Sequence, residues 1–212
     1  MLFHIFESEW IEKQQIVKSR LKSALGFNNK IYARNCKIQS ITSQEAELFY
    51  NKHHIQGSTK NQFNYALINN NMIVACMSFN RPRFTKNYDI ELTRFCTLQD
   101  HNVVGGASKL FKHFINKHHN INTIISYSDK RWSQGNLYKT LNFLYSHTSS
   151  PNYWYFKCLP HLFSRMQFQK HKLKTLFENY NDQLTEWENM KNNGYDRIWD
   201  CGNDVWVWTR NA

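Results

Sequence analysis

Apolar and polar residues change their rhythm several times along this chain, and each change marks an element. Between Glu9 and Leu25, the residues Trp10, Ile11, Ile16, Val17, Leu21 and Leu25 return near helical spacing, and Gly26 supplies a stop. That pattern predicts an amphipathic helix. Residues 31–41, IYARNCKIQSI, alternate as a strand does. Thr42 and Glu45 stand in capping-box spacing at the head of a short helix over 42–54. FNYALIN (63–69) and MIVACMSF (72–79), joined through asparagines, read as a hairpin, and YDIELTRFCTL (88–98) as a further strand. The pattern then predicts a helix over 107–119 and a mostly apolar strand, buried on both faces, over 121–129. A short helix over 133–143 and a strand over 152–159 follow. The tail reads as two helices, 164–180 and 182–193, and a hairpin over 195–208 turning at Gly202-Asn203. Strands and helices in this order imply an α/β fold with a mixed sheet.

Composition turns this list into one body. Hydrophobic residues make up 41% and aromatics 16%, with three prolines and no Gly/Ser-rich or Pro-rich linker, so the chain can bury a core. The net charge of +11 is uneven: residues 130–177 hold eight Lys and Arg and no Asp or Glu. Aromatics lie among those charges (NYWYFK, QFQKHKLKTLF), which suits nucleic acid better than an acidic protein. Lys130, Arg131, Arg165, Lys170, Lys172 and Lys174 are the candidate phosphate contacts, and DNA is the expected partner. A merely soluble basic protein is the plain alternative. The five cysteines are scattered without CxxC spacing, which argues against a disulfide framework and against a cysteine zinc site. No metal is expected, and a reducing cytoplasm is the expected location. Neither a signal peptide nor an apolar run near the ~20 residues of a membrane span is visible, so no membrane partner is expected.

The candidate chemistry begins at HNVVGGASKLFKHF (101–114). A glycine turn between a strand and a helix leaves backbone N–H groups free at the helix start, where they can hold a phosphate. The spacing is neither GxGxxG nor GxxxxGK[ST]. A tight turn with close helix–sheet packing explains the same glycines.

These residues resemble the acyl-CoA loop of the GNAT acyltransferase superfamily, Gln/Arg-x-x-Gly-x-Gly/Ala. This chain has Asn102-Val103-Val104-Gly105-Gly106-Ala107, with Asn102 in place of the larger first residue. GNLYKTLNF resembles the family's FYxxxGF segment, with Tyr138 at the tyrosine that protonates the departing thiolate and Asn142 where the family has Gly. The resemblance implies a GNAT-like mixed, largely antiparallel sheet flanked by helices. It also implies acetyl-CoA or another acyl-CoA as donor, held by Asn102, Val104, Gly105, Gly106, Ala107 and Ser108. ELTRFC, GGASKLF and IISYSDKRWSQGNLYKTLNF are similar to the Mom-like branch, phage proteins that modify adenine in DNA. By that likeness Glu91, Arg94, Ser126, Tyr127, Asp129, Gly135 and Tyr138 line the site, with His53 or His54 from NKHHIQG. A likeness over most of the chain is to the C-terminal portion of phage Hef-type, Vsr-like homing endonucleases, through HIFESEWIEKQQIVKSRL, IYARNCKI, HHIQG, VVGGASKLF, QKHKL and GYDRIWDCGN. It implies three pieces: an N-terminal helix (1–28) like the end of a nuclease domain, a GNAT-like core (29–160), and a basic helical and β-hairpin extension (161–212). The nuclease carboxylates of those enzymes belong to a segment before the matched part, so nuclease chemistry is not expected of these residues.

Plainer roles stand beside these. Tyr138 could be a core tyrosine. Glu91 and Arg94, three apart on a strand, point to opposite faces unless the strand bulges, and could be a structural ion pair. His53 and His54 could be surface or capping residues, or a base or ligand. Asp129 could cap the next helix. Trp199, Trp206 and Trp208 alternate toward one face and read as packing. Three functions follow: a DNA-associated transferase moving an acyl or related group to an amine, possibly on a nucleobase; a non-catalytic DNA-targeting portion of a homing endonuclease; or an ordinary small-molecule or protein acetyltransferase, against which the basic block speaks.

Overall fold

The computed structural model describes residues 2–210. Among them are seven α-helices: α1 (Glu7–Glu12), α2 (Gln14–Ala24), α3 (Ser43–His53), α4 (Gly106–Lys117), α5 (Asn136–Thr140), α6 (Lys170–Leu176) and α7 (Glu186–Asn192). The strands are β1 (Asn29–Tyr32), β2 (Lys37–Ser40), β3 (Phe63–Asn69), β4 (Met72–Asn80), β5 (Ile90–Thr97), β6 (His101–Val104), β7 (Thr123–Asp129), β8 (Leu144–Thr148), β9 (Tyr153–Phe156), β10 (Phe163–Ser164), β11 (Asp196–Trp199) and β12 (Asn203–Thr209).

Seven strands form the main sheet in the order β2-β3-β4-β5-β7-β12-β8. Every neighbouring pair is antiparallel except β5 and β7. The result is the mixed α/β architecture, with a large, mostly antiparallel sheet flanked by helices, that the sequence implies. Alternation along β4 sorts its side chains between two layers. Ala75 and Met77 face the core under α4, with Leu110, Phe111 and Phe114, while Cys76 meets Ala46, Phe49 and Tyr50 of α3. Phe79 and Phe114 stack at 3.6 Å between centroids. The capping box of α3 forms as the spacing predicts: Thr42 Oγ1 accepts from Glu45 N, and Glu45 Oε2 accepts from Thr42 N.

Five readings of the sequence are corrected. The helix over 164–180 is confined to α6, because Ser164 belongs to strand β10 and Arg165–Gln167 form a 3-10 turn. The helix over 9–25 breaks at Lys13 (φ −128°, ψ 32°), whose ammonium donates to Ile55 O at 2.7 Å. The strand over 31–41 is cut by a 3-10 turn at Ala33–Asn35, and its halves serve different sheets: β1 runs parallel to β6, β2 antiparallel to β3. The strand over 152–159 leaves the main sheet; its core, β9, joins β10 and β11 in a three-stranded sheet. The C-terminal hairpin does not form, because β11 pairs with β9 while β12 inserts between β7 and β8. Burial explains the separation. Val205, Trp206 and Trp208 are buried, and the two tryptophans belong to the main core with Phe111 and Phe143, whereas Trp199 is exposed. Residues between β8 and β12 have a smaller core of their own, built on Tyr153, Tyr155, Phe168, Leu173 and Met190. The final strand of the extension expected over 161–212 therefore belongs to the main sheet. No helix among the described residues is long and apolar enough to cross a membrane.

Candidate active site

Strands β5 and β7 are paired only at Ile90 with Ile124 and Glu91 with Ile125. Beyond Glu91 they part, and the gap opens into a cleft of about 1710 Å³ whose walls include Leu92–Gln99 of β5 and its continuation, Tyr127–Asp129 of β7, Asn136–Tyr138 of α5, and side chains of α1 and α2. An unpaired strand edge presents free N–H and C=O groups.

The β4–β5 ladder slips between Ser78 and Phe79, so that Ser78 faces Arg94 and Phe79 faces Leu92, leaving Thr93 as the extra residue. A bulge of this kind re-aims the side chains after it. Glu91 and Arg94 thus both line the cleft. They are not each other's partner. Fully buried Glu91 accepts from Arg83 N (3.0 Å), Nε (3.0 Å) and Nη2 (2.6 Å), which ties the 81–89 loop to the cleft. Arg94 donates to Gly57 O at 3.1 Å and Thr93 O at 2.8 Å.

Tyr138 is buried at the fork between the strands. Its hydroxyl donates to Tyr127 O at 3.1 Å and lies 3.0 Å from Ser126 Oγ, itself 2.7 Å from Leu92 O. Burial pushes the phenol above its ordinary pKa, so it holds its proton. Gly135, at φ +75°, starts α5 directly against the Trp206 indole, leaving no room for a Cβ. Tyr127 lines the cleft with its ring edge-on to Phe84; Ser126 stands behind, holding Tyr138.

Asp129 also lines the cleft, but its carboxylate is engaged by Arg131 N (2.9 Å), Nε (3.2 Å) and Nη2 (2.7 Å). Arg131 Nη2 further donates to Glu9 at 3.0 Å, and the guanidinium lies over Phe6. Arg131 is only 4% exposed, so it lies in the cleft wall and not on the open surface. Lys130 and Lys174 are exposed. Arg165 pairs with Glu186 at 3.2 Å, Lys170 donates to Asp182 O and Lys172 to Met166 O.

His53 and His54 both reach the cleft from the end of α3. Burial, and then Lys52, push His53 down to about 4. His54 falls well below 6.5 through burial and the charges of Arg94, Arg20 and Lys13. Its Nδ1 accepts from Gln56 N at 3.1 Å, so the neutral ring carries its proton on Nε2. His54 is therefore a donor toward the cleft and not a ready base.

The glycine turn lies apart from most of this. Asn102 lines the cleft; Val104, Gly105, Gly106, Ala107 and Ser108 do not. Gly105 adopts φ +75°, and a Cβ on Gly106 would meet Val103 at 2.9 Å, so the close-packing reading of these glycines is met. The start of α4 has no side-chain cap, and Lys109 Nζ is held on Ala33 O and Cys36 O. Among the described residues no group of three or more His, Cys, Asp or Glu is placed to hold a metal ion.

Sequence reasoning missed Lys13, Arg20, Arg83 and Trp132, all on the cleft wall. For Arg20 a signal existed: it follows buried Ile16 by four residues and Val17 by three, on the helix's inward stripe.

No family model matches the chain, and no curated protein matches it. Its structure is similar to a GNAT family acetyltransferase from Elizabethkingia anophelis crystallised with acetyl-CoA (13% identity, 82% of this chain and 98% of the other, TM-score 0.44). It is also similar to an N-acetyltransferase from Staphylococcus aureus Mu50 (14%, 82% and 98%, TM-score 0.47). A third similar structure is the ribosomal-protein-S5-alanine acetyltransferase from Vibrio fischeri (11%, 84% and 94%, TM-score 0.46).

Proposed function

We propose that the cleft transfers an acyl or related group from a CoA-type donor to an amine, and that the amine belongs to a nucleobase of DNA. The observation that carries this reading is the parting of β5 and β7 after a two-residue pairing, with Tyr138 at the fork. The free edge of β5 suits the amide groups of an extended pantetheine arm, and the uncapped start of α4, which follows the cleft-lining Asn102 but lies off the cleft wall, has backbone N–H groups for a pyrophosphate. When bound, the donor supplies an activated thioester. Tyr138 holds a proton at Oη for the departing sulfur, kept there by burial, and its oxygen regains a proton from the one the amine sheds as the amide forms. Arg94, donating to two backbone carbonyls, holds the loop before β3 against β5. Glu91 and Asp129 are engaged by arginines, and His54 offers Nε2–H, so the nucleophile is an amine that arrives neutral. A base inside a duplex is shielded, so the acceptor is single-stranded or flipped. Exposed lysines, Lys130 and Lys174 among them, hold its backbone.

One observation favours a second reading, in which the fold binds DNA without catalysis: Gly105–Ser108 are absent from the cleft wall. Incubation with acetyl-CoA and single-stranded DNA, read by thiol release and by mass change in the digested nucleosides, tests the first reading. A stabilising thermal shift with acetyl-CoA and a base of raised mass support it. A DNA gel shift with neither leaves the second.

A further inference from the structure

The wall of the cleft formed by α2 and the loop after β7 concentrates hydrogen-bond donors that nothing in the protein accepts. Arg20 Nε, Arg131 Nη1 and Trp132 Nε1 are all buried without a partner. Orphaned buried donors are rare in folded proteins, and three on one wall point to a ligand that answers them. The Arg20 guanidinium lies over the Trp132 ring, 4.7 Å from its centroid, which fixes its plane. Acids that could neutralise it are already taken: Asp129 and Glu9 are engaged by Arg131, and Glu91 by Arg83. Lys13 and Arg94 lie on the same cleft, donating only to backbone carbonyls, and both bear on His54 together with Arg20. His54 adds a further donor, Nε2–H. Asn28 Oδ1, the one orphaned acceptor there, would take an N–H or hydroxyl of the same ligand.

We propose that this wall is a phosphate subsite, with Arg20, Arg131 Nη1 and Trp132 Nε1 as its donors. Apart from Asn28 Oδ1 and the Asp129 and Glu9 carboxylates already held by Arg131, its polar groups donate, and Arg20, Lys13 and Arg94 carry charge that no ion pair neutralises, which favours a tetrahedral, acceptor-only anion over a cationic group. Two sources carry that chemistry into this cleft: a backbone phosphate of a single-stranded nucleic acid, or a phosphate of a CoA-type donor. The inference does not require the transfer reaction, since it rests on the donors alone.

The test uses the full chain, nitrogen-labelled, with the Arg20 Nε–H resonance followed by NMR. Inorganic phosphate, a short single-stranded oligodeoxynucleotide and CoA are titrated separately into wild type and Arg20→Gln. Phosphate is expected to shift the Arg20 resonance saturably, and Arg20→Gln to weaken at least one phosphate-bearing ligand by about tenfold or more. Weakening of the oligonucleotide alone assigns the subsite to nucleic acid; weakening of CoA alone assigns it to the donor. A stationary Arg20 resonance in all three titrations, or equal affinities of wild type and variant, overturns the proposal. Should Arg20→Gln fail to fold, the wild-type resonance decides by itself. Phosphate binding without any acyl transfer would remove the transferase reading and leave this one standing.

Discussion

The ring of Tyr138 lies flat against that of Trp206, centroids 5.4 Å apart and planes 8° from parallel. The contact joins α5 to the last strand, and it places the Tyr138 phenol at the fork between β5 and β7. Trp206 Nε1 in turn donates to Ser128 Oγ at 2.9 Å, so the indole that supports the tyrosine is itself fixed by β7.

Removing only the hydroxyl isolates its chemistry. Tyr138→Phe keeps the stack on Trp206 and loses the hydrogen bonds to Tyr127 O and from Ser126 Oγ, which should lower stability by about 1–2 kcal/mol. Acyl transfer should fall by ~10²–10⁴. Thiol-release rates beside a urea melt check both. An unchanged rate assigns Tyr138 to the core alone.

Gly135→Ala attacks the same support from below. The substitution forces an L side chain into φ +75° and drives its Cβ into the Trp206 indole. Left-handed strain of roughly 1–2 kcal/mol and overpacking of roughly 1–3 kcal/mol should add to a large loss of stability. Thermal unfolding measures it, and a variant within a degree or two of wild type contradicts the packing described.

Arg83 and Glu91 are unequal partners. Arg83→Ala leaves a fully buried carboxylate whose three donors fall to one backbone N–H, whereas Glu91→Gln leaves a half-exposed guanidinium that water can reach. The first should destabilise more than the second, and it should free the 81–89 loop. Denaturant midpoints rank the two variants, and faster proteolysis within 81–89 reports the loop.

Acid should weaken the fold before carboxylates titrate. His53 and His54 hold pKa values below the unfolded 6.5, so below that pH the unfolded chain takes up more protons than the folded one. Their stabilisation is complete above pH 6.5 and is lost as pH falls toward about 4 for His53 and continues to be lost lower for His54. Urea midpoints between pH 7 and 5 should decline, and His53→Gln should flatten the decline.

On the proposed reading, affinity for DNA should fall steeply with salt. Lys174 is exposed and should contribute one phosphate contact, so Lys174→Ala should reduce the slope of log K against log salt by about 1 without changing sequence preference. A titration at several salt concentrations reads the slope.

Much of the fold was legible in the chain because local period and capping are local physics. Phe63–Asn69 and Met72–Asn80 form the hairpin their alternation implies, α3 starts at its capping box, and the apolar 121–129 run is a central strand. Six of the seven candidate catalytic residues, Glu91, Arg94, Tyr127, Asp129, Tyr138 and His54, share one cleft, with Ser126 behind them. The sequence alone thus determined the type of the strongly periodic segments, while the residues near the fork were named by the family resemblance. Tertiary structure decided their partners. Alternation gives a strand its faces but not its neighbour, so nothing local could tell that β12 would leave β11 and insert beside β7. Whether Glu91 and Arg94 share a side depended on one inserted residue, Thr93, in a ladder with a strand thirteen or more residues away. Which cations are paired was likewise beyond the chain: Arg131 Nη2 is engaged by Asp129 and by Glu9, far earlier in sequence, while Arg20 forms no ion pair and feels those same carboxylates only at longer range, because charge pairing depends on distance through space.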